Sequence, residues 1–202
     1  VIEIKVDTVD LTRFANKLEA LGENAPLAIG RALNHTGAKA RTAMIRSLTK
    51  QTGLKRKVIV RALKVNPVKY GNPKIGRLDA RSSYIIESRG GNISLKYFDA
   101  REVRKGVSAK PWGKRRLYPG TFIRGGLHPN RVGISKLGGH VFRNVEGGKW
   151  RGKIEKVKSN LTIPEEMVQG ATEAAFFQVV QSDLPKRLEH EMDILMQIEG
   201  LL

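Results

Sequence analysis

Apolar positions in this chain recur first with a helical period, then with short alternation between glycines, then with a helical period again. Val1, Ile2, Ile4 and Val6 alternate with polar residues and predict a short opening strand. Asp10 is placed to cap a helix whose stripe is Leu11, Phe14, Ala15, Leu18 and Leu21, with Gly22 as its stop. Asn24-Ala25-Pro26 predicts a second helix start, since proline fits a first turn whose N–H groups lack helical partners. That helix is expected to run to about Thr49, with Leu33, Ala40, Met44 and Leu48 inward. Its small residues, Gly37 and Ala38 among them, would let another element approach closely. Gly53 marks a corner into a short basic helix over 54–63, and "NPVKYGNPK" from Asn66 reads as a turn-rich connection.

Next, "ARSSYIIES" and "ISLKYFDAR" flank Gly90-Gly91 and predict a β-hairpin. Pro111, Gly113, Pro119 and Gly120 predict an extended arm near 106–120, ending in a strand over 121–124. The glycine-rich tract that follows reads as a meander, with strands expected over 132–134, 140–145 and 149–157. Helical periodicity returns after Pro164 through Val168, Ala171, Ala175, Val179, Leu184, Leu188, Met192, Leu195 and Met196, with Pro185 expected to kink or restart the helix. Helices, then strands, then helices predict an α+β fold: N-terminal helices, a central antiparallel sheet with a Gly-rich meander, and a C-terminal helix packing back on the sheet. A single domain over 1–202 is expected, with a helical part over 1–65, a basic β-rich part over 80–160 and an acidic helical part over 161–202.

Charge changes this picture more than composition does. The 202 residues carry a formal net charge of +18. An excess of this size attracts phosphates or acidic protein surfaces and disfavours a compact, unpartnered state. Residues 1–98 and 99–160 each carry +12, whereas residues 161–202 carry −6. The acidic segment either docks on a basic neighbour, within the chain or between subunits, or forms a solvated helix face. The chain has no cysteine, which excludes disulfides and thiol chemistry. No apolar run approaches the roughly 20 residues of a membrane span. "VIEIKVD" lacks the order of a signal peptide, so a soluble protein of the cytoplasm, or of an assembly built there, is expected.

Catalytic chemistry finds little support. His128 and His140 have only Glu146 near them in the sequence, too few ligands for a zinc site. The same three residues are the material for a metal-dependent nuclease, the weakest class here. No serine sits in a G-x-S-x-G context, and the glycines form neither a phosphate loop nor a dinucleotide fingerprint. Glu165 and Glu166, at a helix start, suit the helix dipole better than an acid–base pair. The cations are more informative. Lys55, Arg56, Lys57 and Arg61 cluster on the short basic helix, and Arg101, Arg104, Lys105 and Lys114 in the strand region. Each would neutralise a phosphate and release counterions, giving affinity without base readout. Trp112 and Tyr118 either stack on bases of a single strand or anchor their loop against protein.

Three stretches taken together resemble the phage minor tail protein Z family, the tail-completion proteins of lambda-like tails. They are "IGRALNHTGAKARTAMIRSLTKQTGLKRKVIVRAL", "YFDAREVRKGVSAKPWGKRRLYPGTFI" and "IPEEMVQGATEAAFFQVVQSDLPKRLEHEMDILM". His35 stands where that family more often has arginine, and Thr121 where it commonly has alanine. The resemblance implies a structural virion protein without cofactor or active site. It would complete the tail at its head-proximal end and help join it to a filled head. It further implies a six-fold homo-oligomeric ring around the DNA channel, assembled in the host cytoplasm. The implied partners are tail terminator, tail tube and head–tail connector proteins, and the end of the genome through its phosphates. In this setting Trp112, Arg115, Arg116, Tyr118, Pro119 and Phe122 are the expected subunit or neck contacts, and the eight cations named above would face DNA or an acidic surface. A freestanding, non-specific nucleic-acid-binding protein is the alternative.

Overall fold

The protein is described here from a computed structural model covering residues 2–4, 14–69, 83–145 and 152–200. Asp10 and Leu11, the 70–74 part of the connection, residues 80–82, Glu146 and the 149–151 start of the last expected strand lie outside the described residues. The fold is α+β, as the periodicity predicts, and the antiparallel strands are divided among three small sheets.

The chain forms two compact units. The first comprises Val1–Ile45, Leu63–Ser88 and Met167–Leu202. Its sheet is antiparallel in the order β1 (Ile2–Ile4), β3 (Tyr84–Ser88), β2 (Leu63–Asn66), with Ile4 opposite Tyr84 and Leu63 opposite Ser88. Both edges of β3 are therefore occupied, which rules out the expected hairpin between "YIIES" and "ISLKYF". The second of those segments is instead a 3-10 turn over Leu95–Tyr97. Strand β2 has no clear signal in the sequence, because four residues, Leu-Lys-Val-Asn, are too few to establish an alternation beside a helix.

Helix α1 (Ala15–Leu21) buries Leu21 and ends at Gly22, whose φ of +48° suits glycine, whereas Ala15 is exposed rather than inward. Helix α2 (Ala25–Thr52) begins where Ala25-Pro26 places it and runs slightly past Thr49. Leu33, Ala40, Met44 and Leu48 are wholly buried along it. Gly37 is the close approach that the small residues foretell, since a Cβ there would overlap the buried Tyr84 ring.

The C-terminal helix α5 (Gly170–Ile198) packs back on the sheet-bearing unit and contacts α1. Leu184, Leu188, Met192, Leu195 and Met196 are buried as expected. In the first turns Thr172 and Phe176 take the core positions, while Val168 and Ala171 are exposed. The inward row thus runs 172, 176, 184, 188, 192, at spacings of four or eight. Pro185 lies inside the helix, which runs on through it without restarting. Gln181, whose carbonyl loses its helical donor at a proline four residues on, is exposed to water.

Asp183, Glu191 and Asp193 of α5 are engaged within this unit. Lys17 Nζ donates to Asp193 Oδ1 at 2.7 Å, Arg31 lies 3.9 Å from Glu191, and Arg187 also pairs with Glu191. Asp183 accepts from Thr36 Oγ1 at 3.0 Å and from Lys39 Nζ. Burial alone would raise the Asp183 pKa, but the bonds from Lys39 and Thr36 and the nearby positive charge outweigh it and hold it below 3.8. A depressed carboxyl stabilises the fold fully above its unfolded value and loses that contribution as pH falls through the folded value. Asp183→Asn is therefore expected to lower the urea midpoint at pH 7, with the gap to the parent closing below pH 3.8. A gap that stayed constant down to pH 2 would assign the effect to packing.

The second unit comprises Arg46–Ala62 and Arg89–Glu166. It holds the end of α2, helix α3 (Arg56–Ala62), and two three-stranded antiparallel sheets. One is β4 (Arg101–Val103), β5 (Gly106–Ala109), β6 (Arg116–Pro119); the other is β7 (Thr121–Phe122), β8 (Phe142–Asn144), β9 (Ile154–Lys156). The short helix α4 (Ile163–Glu166) closes it. Its core includes Leu54, Ile59, Leu95, Phe98, Val107 and Val141. The expected extended arm over 106–120 is instead the β5–β6 hairpin, with Gly106 opposite Pro119 and Ala109 opposite Arg116. Proline is tolerated there because it sits at the end of an edge strand. The strand expected over 121–124 is confined to Thr121–Phe122. Of the meander, 132–134 contributes an isolated bridge between Val132 and Gly125 rather than a strand.

Candidate nucleic-acid interface and the joint behind it

Helix α3 is presented by a corner that three distant parts of the chain build together. Thr52 is wholly buried; its Oγ1 donates to the Leu48 carbonyl at 2.6 Å and accepts from Leu54 N at 3.2 Å. Gly53 then turns with φ +74°, and a Cβ there would lie 2.7 Å from Gly113 N and 3.1 Å from the Lys110 carbonyl. The Thr-Gly-Leu corner thus rests directly on the Pro-Trp-Gly turn, and only glycine permits that distance. Glu166, 7% exposed, locks both from the other side. Trp112 Nε1 donates to its Oε1 at 2.8 Å, and Gln51 Nε2 to its Oε2 at 2.6 Å. Gln51 Nε2 also reaches the Glu166 backbone carbonyl at 3.1 Å. Trp112 sits at φ +53°, an unfavourable conformation for a bulky side chain, and its indole bond to Glu166 offsets part of that cost. The indole N–H of Trp112 is thus engaged within the unit, and its ring is partly buried. Glu166 belongs to this joint, a role that its place in the sequence beside Glu165 does not disclose.

The corner holds Lys55, Lys57 and Arg61 along a groove of about 460 Å³ that Val58, Lys96 and Tyr97 also line. Lys55, Arg56, Lys57 and Arg61 are exposed, and none has a carboxylate within ion-pair distance among the described residues. Lys57 and Arg61 are one helical turn apart, a spacing at which like charges cost about 0.2–0.5 kcal/mol unless something neutralises them. Arg56 is on the same helix but does not line the groove. Across from α3, Leu95 and Phe98 are wholly buried and pin the 3-10 turn between them, so Lys96 and Tyr97 point outward. Lys96 donates to the neutral Gly138 carbonyl and keeps its charge uncompensated. Neither Lys96 nor Tyr97 stood out in the sequence, because strand-like alternation hides the buried–exposed–exposed–buried pattern of a pinned turn.

The Asp99 carboxylate on the groove wall is covered by cations. Arg115 Nη2 lies 2.7 Å away, Arg101 Nη2 3.3 Å and Lys110 Nζ 3.4 Å. Desolvation opposes ionisation of Asp99, but these three cations together prevail and hold its pKa below 3.8. Arg101 and Arg115 therefore have a partner inside the unit, and Arg115 also reaches Ser108. Lys114, Arg116, Arg104 and Lys105 are exposed with no acidic partner among the described residues, the last two in the β4–β5 turn. Pro119 is exposed, and Tyr118 is partly buried, with burial pushing its phenol above 10.0 against the opposing Arg116 charge.

Phe122 belongs to a different feature. It stacks obliquely on Phe142 at 6.4 Å and lines an apolar groove of about 600 Å³ with Leu127, Ile134, Leu137 and Ile154. Leu127 is 85% exposed and nearby Val132 69%. The glycines around them dominate the sequence and mask these apolar positions. Thr121, by contrast, is interior: its hydroxyl donates to the Tyr118 carbonyl at 2.7 Å and accepts from Val107 N at 3.1 Å.

His140 lies beneath Tyr97, their rings edge to face at 6.5 Å, with Ser94 Oγ 2.8 Å from its Nδ1. Burial, then the charges of Lys156 and Lys96, hold its pKa below the usual imidazole range. His128 is exposed, and among the described residues no three His, Asp or Glu side chains converge to hold a metal. Among those residues no helix is long and apolar enough to cross a membrane. No protein-family model, no curated protein and no solved structure matches this chain.

Proposed function

We propose that this chain is a structural assembly subunit of a long-tailed phage, completing the tail at its head-proximal end and joining it to the head. In this reading identical copies close a ring around the DNA channel, with tail and neck proteins as axial neighbours and the basic face toward the genome. The observation that carries it is the surface of the second unit: large apolar side chains, Leu127 foremost, stand in water around the β7–β8–β9 groove. A groove of this kind is ordinary for a subunit whose neighbours cover it and a liability for a solitary protein. The three stretches that resemble the tail-completion proteins support it further, since Gly53, Trp112 and Glu166 come one from each and meet in one joint.

The test replaces Leu127 with glutamate. At 85% exposure the side chain contributes little to the monomer, so the melting curve is expected to stay unchanged. Particles assembled with this variant are expected to accumulate as separate heads and tails in micrographs. Joined, infectious particles would overturn the reading. Lys114→Glu with Arg116→Glu serves the same purpose for the hairpin. Arg115 is unsuitable, because a glutamate there would face Asp99 and disturb the fold. The second reading, a freestanding nucleic-acid-binding protein, is favoured by the cations of α3, and failure to bind any nucleic acid at about 50 mM salt would remove it.

A further inference from the structure

We infer that the groove between α3 and the Leu95–Tyr97 turn takes an unpaired strand of nucleic acid, with Tyr97 stacking on a base while Lys55, Lys57, Arg61 and Lys96 hold the flanking phosphates. This deepens, and rests on, the nucleic-acid contact in the reading above. Four cations and one aromatic ring share the groove, which is the combination that single-strand sites use. Phosphates alone would explain the cations but not the ring. Tyr97 is 41% exposed in a unit that has buried Leu95 and Phe98 on either side of it. A duplex offers an aromatic ring no base face along its length, because each base is covered by its neighbours. An unpaired base has a free face, and stacking then removes both it and the tyrosine from water.

The site is also prepared in advance. Leu95 and Phe98 hold the turn, His140 supports the ring from one side, and the Thr52–Gly53 corner fixes α3. Little ordering therefore remains to be done on binding. The Asp99 carboxylate does not repel the strand, since three cations cover it. Base identity is not read: Tyr97 offers only its ring face to any base, and lysines and arginine grip only the backbone.

The experiment uses the full chain and fluorescence anisotropy with labelled dT12, a 12-base-pair duplex and polyglutamate. The parent is expected to bind dT12 more tightly than the duplex. Tyr97→Ala is expected to weaken dT12 binding about 10-fold and leave the duplex unaffected, while Tyr97→Phe binds within about 3-fold of the parent. Lys57→Gln with Arg61→Gln is expected to make the plot of log affinity against log salt shallower by about 1.4 for dT12, two phosphate contacts fewer. Equal binding of dT12 by parent and Tyr97→Ala would overturn the inference. So would a preference for the duplex, or capture of polyglutamate without dT12, which would make the groove a seat for an acidic protein. None of these results touches Leu127→Glu in assembled particles, so the two ideas fail separately.

Discussion

Glu166→Ala is expected to lower the melting midpoint by about 6–12 °C, the equivalent of about 3 kcal/mol in a chain of this size. The carboxylate is nearly sealed from water and has one oxygen for the Trp112 indole and the other for Gln51. Alanine leaves both donors facing an empty space and removes the bond that offsets the unfavourable Trp112 backbone. Trp112 emission is expected to shift to the red as water enters. Glu166→Gln keeps one acceptor and should cost about 1 kcal/mol, which separates loss of hydrogen bonds from loss of volume. If the alanine variant melts with the parent and its emission is unchanged, the joint is not what holds α3 in place.

Gly106→Ala is expected to cost more than about 3 kcal/mol and to open the β5–β6 hairpin. A Cβ there would overlap the Tyr118 carbonyl oxygen and lie 3.1 Å from Pro119 Cα, and both are backbone atoms that cannot swing aside. At φ +149° the position is also one that side-chain-bearing residues rarely adopt. Separation of the strands breaks the relay in which Thr121 joins Val107 N–H to the Tyr118 carbonyl, leaving two buried groups without partners. Amide exchange at Val107 and Leu117 gives the direct readout: it should accelerate well beyond the change in global stability. Exchange that merely follows global stability would show that the hairpin stays closed.

Helix α2 and the second half of α5 were legible residue by residue, because a long amphipathic repeat carries its own burial pattern; Leu33, Met44, Leu188 and Met192 sit where that period puts them. Gly22 and Gly53 were legible as stops because few residues tolerate their backbone angles. The basic cluster of α3 was visible from composition alone. The β region was not, for a physical reason. Strands of two to five residues carry too few side chains to declare a face, and pairing is decided by which edges are free. Once β1 and β2 had taken both edges of β3, the segment after Gly91 had to find another conformation.

What the sequence alone determined is the inventory and its local grammar: the α+β order, the helix faces, the corners, and the surplus of positive charge. What only the tertiary structure decided is how each polar group is employed. Arg115 and Lys114 are adjacent in the chain, yet one is committed to Asp99 and the other is exposed with no acidic partner among the described residues. Trp112 and Tyr97 are both aromatic among cations, yet one is tied to Glu166 and the other faces a groove. Such differences depend on partners tens of residues away, and a hydrogen bond or a steric contact depends on distance in space, which no local pattern records.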